Sequence, residues 1–419
     1  MIVYRISAGS GSGRSIESSI PNVTIAPEKS ITAKVPIVRS GHRSRATLCG
    51  TGDRRSEAMP VNLESSSAFA DWLAPRIGAE SVSVETTSTP SGGFSAETVM
   101  ATVTAHRGDT AVAETYVLRL ETPDPAVYPR QSSEELPEIE IQYRVMDAVR
   151  RNSPVPVAPL IGFESDATVI GTPFFAMGCV DGDVPRESPP YPTEGFFRTS
   201  TSSERRSMIM SGIDALAGVH RIDWRAAGLG WLEHDGVAPG TPTQLERWSR
   251  FAAAELRGRS HPLLEEAFEW LGRSLPVDSD IVLCWGDPRP GNIIYADGLP
   301  ACVTDFEAAC LGSPMMDLAW WLMFDRTMHE LGAAEGAAHP RLDGDPDRDE
   351  QRKHYFEVSG RPEEDTGPHE VFAAARYAAI VTRVMNRLEE RGQLPADSTI
   401  WRDNPASSCL GILLDEMRP

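Results

Sequence analysis

The stretch Cys284–Asp305, CWGDPRPGNIIYADGLPACVTD, decides how the rest of the chain is read. Ile281–Cys284 is an apolar run suited to a short buried strand that ends just before Asp287. Pro288, Pro290 and Gly291 forbid regular structure, which predicts a stiff loop from Asp287 to Asn292. Asn292–Tyr295 and Ala301–Thr304 then read as two strands joined by a turn at Asp297–Gly298. Such a hairpin returns the chain so that Asn292 lies beside Asp305. Asp287 or Asn292 alone reads as a turn residue. The conjunction of strand, Asp, rigid loop, Asn, hairpin and Asp is what points to chemistry.

Asp287 and Asn292 have the D-x-x-x-x-N spacing of a phosphoryl-transfer catalytic loop, and Asp305, in TDFE, falls where a second metal-binding carboxylate is placed. Asp287 would accept a hydroxyl proton and aim the nucleophile. The amide oxygen of Asn292 and the Asp305 carboxylate would hold Mg²⁺ against phosphates, because hard cations prefer oxygen ligands. The only lysines are Lys29, Lys34 and Lys353, and none follows Gly and precedes Ser or Thr. Phosphate binding by a P-loop is therefore excluded.

A chain of 419 residues has room for two or more domains with a sizeable core. Its net charge of −20 argues against nucleic acid or an anionic membrane surface as partner. The six cysteines are scattered without a C-x-x-C pair, as expected of reduced, mostly buried thiols. No apolar run approaches the roughly 20 residues that span a bilayer, and the N-terminus lacks the apolar stretch of a secretory signal. A cytoplasmic location is the expectation.

Residues 1–60 are rich in Ser, Gly, Arg and Thr without periodicity, and are expected to be disordered or loosely attached, with Met59 a candidate start. The run AGSGSGRS follows no strand and is no dinucleotide fingerprint. Residues 61–180 read as a β-rich lobe. A short helix spans 65–77, strands span 82–87, 98–106, 111–120, 160–163 and 168–180, and a helix spans 136–151. Residues 181–419 read as mainly helical, with helices over 203–220, 244–256, 262–275, 317–324 and 369–391.

The β-rich lobe offers a nucleotide side. Gly92, Gly93 and Ser95, in SGGFSAET, lie between its first two strands, where glycines let backbone N–H groups approach phosphates. The third strand, TYVLRL, places Arg119 where a cation grips the α- and β-phosphates, a role Arg can take through bidentate bonds. On the following helix Gln142 is expected to face Arg119, with Glu138 one turn earlier on the same face. Phe174–Val180 (FFAMGCV) would lead to the inter-lobe hinge, where the backbone at Met177 and Cys179 could read an adenine edge.

GTPFFAMGCVDGDVP, ALAGVHRIDW, LCWGDPRPGNIIY and VTDFEAACLGSPMMDLAWWL together resemble the aminoglycoside phosphotransferase/choline kinase-like superfamily. The likeness is strongest to its bacterial phosphotransferase enzyme family branch, which is related to the kinase-like domain fused to some acyl-CoA dehydrogenases. It covers roughly residues 65–415. The resemblance implies a bilobal, protein-kinase-like α+β fold, with ATP (or GTP) and Mg²⁺ as cofactors. It implies the base role for Asp287 and metal roles for Asn292 and Asp305. Glu307 stands where a protein kinase has the Gly of DFG, and would contact a second ion or water or simply be solvated. Asp317 is implied as a helix cap or a brace for the catalytic loop, and His220 as a structural hydrogen-bonding residue. Departures from the pattern are Arg119 for Lys, Gln142 for Glu, and Trp285 and Arg289 where H-G-D-x-H is commoner. The expected activity is ATP-dependent transfer of a phosphoryl group to a hydroxyl of a small molecule. Compatible acceptors are amino-sugars, choline-like alcohols, hydroxy-acyl compounds and macrolides. The lost Lys and Glu motivate an alternative, a catalytically weak nucleotide-binding pseudokinase or regulatory module, which the complete Asp–Asn–Asp set opposes.

Overall fold

The computed structural model describes residues 67–88, 96–124, 126–132, 136–233, 237–331, 338–395 and 397–418. The expectations for residues 1–60 and for Gly92, Gly93 and Ser95 lie outside these residues.

Helix α1 (Ser67–Arg76) and strands β1 (Ser81–Ser88), β2 (Glu97–Arg107) and β3 (Thr110–Leu120) open the described chain. β2 alternates strictly: Val99, Ala101, Val103 and Ala105 point inward, as a strand with one covered face requires. Phe69, Trp72 and Leu73 of α1 cover that face together with Leu118 and Leu120 of β3. The turn at Gly108, with φ 56°, joins β2 to β3. Helix α2 (Glu138–Asn152) buries Ile139, Val145, Met146 and Val149, and the Glu121 carboxylate accepts from the amides of Glu138 and Ile139 at its start. Strands β4 (Leu160–Glu164) and β5 (Phe174–Gly178) complete an antiparallel sheet of order β1-β2-β3-β5-β4. The expected strand over 168–180 is reduced to β5. Gly171, at φ 98°, turns its amide back to Ala167 O at 2.6 Å, and Pro173 follows, so the extended chain begins only at Phe174.

The remainder is helical, with two small sheets at its centre: α3 (Phe196–Thr199), α4 (Ser202–His220), α5 (Thr241–Leu256), α6 (Pro262–Ser274), β6 (Val282–Cys284), β7 (Ile293–Ala296), β8 (Leu299–Val303), β9 (Cys310–Gly312), α7 (Pro314–Arg326), α8 (Arg348–Ser359), α9 (Gly367–Glu390) and α10 (Pro405–Glu416). α7 runs on into a π-helical turn, Thr327–Leu331. α9 is buried along most of its length and packs against α5, α6, α7 and α10. β9, α3, α8 and α10 are additions to the sequence reading. The architecture is the expected one: a bilobal α+β protein with a small antiparallel lobe and a larger helical lobe.

Among the described residues no helix is long and apolar enough to cross a membrane. Their five cysteines are free; Cys179 is exposed and Cys284, Cys302, Cys310 and Cys409 are buried.

Candidate active site

β6 and β9 pair antiparallel beside the Asp287–Asn292 loop, with Cys284 opposite Cys310. The loop departs from β6 through Gly286, whose φ is 94° and whose α-hydrogen points at Ala308; a Cβ there would lie 2.1 Å from Ala308 O, so only glycine fits. The expected irregular loop contains one turn of 3₁₀ helix, Pro290–Asn292, because Pro290 has the φ that begins such a turn and needs no N–H there. Asp297 and Gly298, both at positive φ, then make the tight β7–β8 turn. Thr304 N donates to Asn292 O at 3.0 Å, so the hairpin brings the loop back beside Asp305.

Asp287 is 2% exposed and surrounded by donors. Trp320 Nε1 donates to its Oδ1 at 2.7 Å, and Asn292 Nδ2 donates to its Oδ2 at 2.9 Å. Arg289 Nε reaches both oxygens, at 3.0 and 3.1 Å, and its Nη1 donates to Glu187. Burial works against the Arg289 charge, but the Asp287 and Glu187 carboxylates outweigh it and keep the guanidinium firmly protonated. The Tyr128 hydroxyl lies 3.5 Å from Asp287 Oδ2.

Backbone anchors fix this arrangement from behind. The Asp317 carboxylate, fully buried, accepts from Trp285 N at 2.6 Å and from Gly286 N at 3.1 Å. It also accepts from His220 Nε2 at 3.1 Å, while the Tyr355 hydroxyl meets His220 Nδ1 at 2.7 Å. The cap of α7 is Ser313; Asp317 is thus the brace, and His220 the structural hydrogen-bonding residue behind it. Arg376, 1% exposed, lies between Trp248 and Trp320 and donates to Gly286 O at 2.9 Å. Trp285 Nε1 donates to Thr304 O at 2.8 Å, tying the loop to the Asp305 segment.

Asp305 has φ 64°, and its Oδ1 is buried without a hydrogen-bond partner. An orphaned carboxylate oxygen beside an Asn whose Nδ2 is already committed to Asp287, leaving Oδ1 as its coordinating atom, suits a hard divalent cation. The described residues hold no cluster of three or more His, Cys, Asp and Glu placed to ligate a metal. A cation here would therefore need oxygen ligands from a bound molecule as well.

The cluster on the other lobe differs from expectation. Arg119 does not turn to Gln142, which is buried within α2. Its Nη1 donates to Thr98 Oγ1 at 2.7 Å and its Nη2 to Glu307 Oε2 at 3.4 Å. Glu307 is accordingly a counter-ion of Arg119 across the lobes, at 6% side-chain exposure. Burial, reinforced by Glu121 and opposed by Arg119, pushes the Glu138 carboxyl up to about 7. At the strand leading out of the small lobe, Met177 pairs with Val117 and Leu160, and the Cys179 amide donates to Thr115 O at 3.2 Å. That amide is thus committed to the sheet.

Sequence reasoning finds Asp287, Asn292 and Asp305 but not Tyr128, Trp320 or Arg376. Trp320 is hidden in an apolar helix, Arg376 reads as one more arginine, and Tyr128 sits in the aperiodic run TPDPAVYPRQ.

The sequence profile of the phosphotransferase enzyme family matches residues 86–354. Acyl-CoA dehydrogenase family member 10 of Mus musculus is 30% identical over 215 residues, covering 49% of this chain and 19% of that protein. Acyl-CoA dehydrogenase family member 11 of Gallus gallus is 32% identical over 191 residues, covering 44% and 23%. The matched part is thus about a fifth of the length of these curated relatives. A crystal structure from Ralstonia eutropha JMP134, ascribed to the aminoglycoside phosphotransferases, superposes with TM-score 0.60 at 26% identity, covering 83% of this chain and 94% of that one.

Proposed function

Because the chain belongs to the phosphotransferase enzyme family, we propose that it is a small-molecule kinase that moves the γ-phosphoryl group of ATP or GTP to a hydroxyl in a Mg²⁺-dependent reaction. The observation that carries this reading is the pairing of a donor-encircled Asp287 with an orphaned Asp305 oxygen on one rigid hairpin. In this reading Asp287 receives the acceptor's proton through Oδ2. Trp320 and Asn292 fix its carboxylate plane, so that the attacking oxygen is aimed rather than merely deprotonated. Arg289 Nε reaches both Asp287 oxygens and so helps hold the carboxylate in place. Asn292 and Asp305 would hold Mg²⁺, whose chemistry is to neutralise charge on the phosphates. Arg119 would exchange Glu307 for phosphate oxygens when nucleotide enters.

The test separates the two roles. Asp287→Asn should retain Mg²⁺–nucleotide binding within about threefold and lose transfer by about 10³-fold or more. Asp305→Ala should weaken Mg²⁺–nucleotide binding itself in calorimetric titration. Near-normal turnover by Asp287→Asn, in a screen of hydroxylated metabolites and antibiotics read as ADP release, would remove Asp287 as the base.

A further inference from the structure

The segment 126–132 crosses from the end of β3 to the helical lobe before the chain returns to α2. It is irregular, yet Val127 is 5%, Gln131 4% and Ser132 1% exposed. Buried irregular backbone needs its polar groups met, and the helical lobe meets them. Arg383 Nε of α9 donates to Ala126 O at 3.3 Å. Arg247 Nη1 of α5 donates to Arg130 O at 3.2 Å and to Gln131 Oε1 at 3.0 Å, and Gln244 Nε2 donates to Gln131 Oε1 at 2.9 Å. Asp124, just ahead of the strap, pairs with Arg391. Between these anchors the chain presents Tyr128.

The Tyr128 hydroxyl stands 3.5 Å from Asp287 Oδ2, the oxygen that an acceptor hydroxyl must reach. Burial, and then the charges of Asp287, Glu307 and Asp305, hold its phenol protonated. The hydroxyl thus faces the proposed base, on the side where acceptor and phosphoryl group would meet in that reading. Asp287 has its remaining lone pairs occupied by Trp320, Asn292 and Arg289. At 3.5 Å the Tyr128 contact is the longest of those to this carboxylate and so the most readily displaced.

We propose that Tyr128 is an acceptor-site residue that keeps the place of the acceptor hydroxyl on Asp287 and so excludes water from the bound nucleotide. The inference rests on the phosphotransferase reading above. The strap stays bolted; the phenol swings aside when the acceptor's hydroxyl takes over its hydrogen bond, and its ring then lines the acceptor site. Without it, water enters. The water oxygen bonds to the γ-phosphorus, the bond to the bridging oxygen breaks with its electron pair leaving on ADP, and the water proton passes to Asp287. Acceptor hydroxyls compete with a weak, long hydrogen bond, so the placeholder costs the true substrate little.

The test needs no known acceptor. ADP release from Mg²⁺–ATP in buffer alone is measured for the wild type, Tyr128→Phe and Tyr128→Ala, and for each in an Asp287→Asn background, with nucleotide affinity and melting temperature measured in parallel. Removing one hydrogen-bonding hydroxyl is expected to raise hydrolysis about fivefold to tenfold in Tyr128→Phe, and further in Tyr128→Ala, at unchanged nucleotide affinity and with loss of the gain in Asp287→Asn. Tyr128→Phe preserves the ring and keeps the test sound if Tyr128→Ala folds poorly. Intact nucleotide binding with unchanged or lower hydrolysis in Tyr128→Phe overturns the placeholder alone. A wild type that binds no Mg²⁺–nucleotide overturns the phosphotransferase reading and the placeholder with it.

Discussion

Asp317 carries more of the site than its distance from the chemistry suggests. Its two oxygens meet the amides of Trp285 and Gly286 and the His220 ring, so three buried donors depend on one carboxylate. Asp317→Asn keeps the shape but turns one acceptor into a donor facing a backbone N–H. It should lower stability in urea unfolding by about 2–4 kcal/mol, because an unmet buried polar group keeps its full desolvation cost. It should also reduce turnover more than nucleotide affinity, since the loop it holds carries Asp287. Several such roles are legible in the residues: Asp287, Asn292 and Asp305 share one short stretch, and turn chemistry brings them together. Arg289 is visible too, two positions from Asp287, but not the fact that it pairs with that carboxylate. Tyr128, Trp320 and Arg376 act through contacts that span 33 to 159 positions of sequence, and no local pattern announces such contacts.

At the scale of elements, the π-helical turn after α7 meets the approach to α8 through a buried pair. His329 Nδ1 donates to His339 O at 2.9 Å, which leaves a lone pair at Nε2, 3.4 Å from Asp345 Oδ2. Neither Asp345 oxygen has an accepted hydrogen bond. Burial pushes the Asp345 carboxyl up to about 7 and the His329 ring down, so both are neutral in the same range, with the carboxyl facing the ring nitrogen. A carboxyl whose pKa is higher folded than unfolded gives stability that is full below about pH 4 and lost as pH rises through about 7. Asp345→Asn retains a donor for Nε2 and never charges. Its stability should therefore exceed that of the wild type at pH 8 by roughly 1–3 kcal/mol and match it near pH 4, as read by urea unfolding at the two pH values. Most elements are legible because their apolar spacing is regular, as in α4 and β2. β9 is three residues long, too short for any period, and exists because β6 offers it an edge. α8 buries only Gln351, Tyr355 and Phe356 and so lacks a stripe. α10 does show its signals, an Asn404 cap, Pro405 and the pairs Cys409–Leu410 and Leu413–Leu414, but they come at the very end of the chain, where little follows to frame them.

For the whole molecule the decisive fact is that the two lobes share one apolar cluster, Val145, Val149 and Phe175 with Leu216, Trp285 and Phe306, and add polar contacts beside it. Arg119 and Glu307 pair across the cleft, and Val303 N donates to Pro156 O at 2.7 Å. A ligand held by both lobes should therefore stabilise them as one unit. Mg²⁺–ADP at about 100 times its dissociation constant should add about 2.7 kcal/mol to unfolding, visible as a rise in melting temperature that EDTA removes and that Asp305→Ala lacks. The bilobal plan itself is legible, since a β-rich half precedes a helical half. The strap is not, because its anchors lie on α5 and α9, more than a hundred positions away. Its presence has a mechanical corollary. Held by Arg383 of α9 and by Gln244 and Arg247 of α5, it is a tether: the end of β3 cannot draw away from the helical lobe further than the few residues between Leu120 and Ala126 can span.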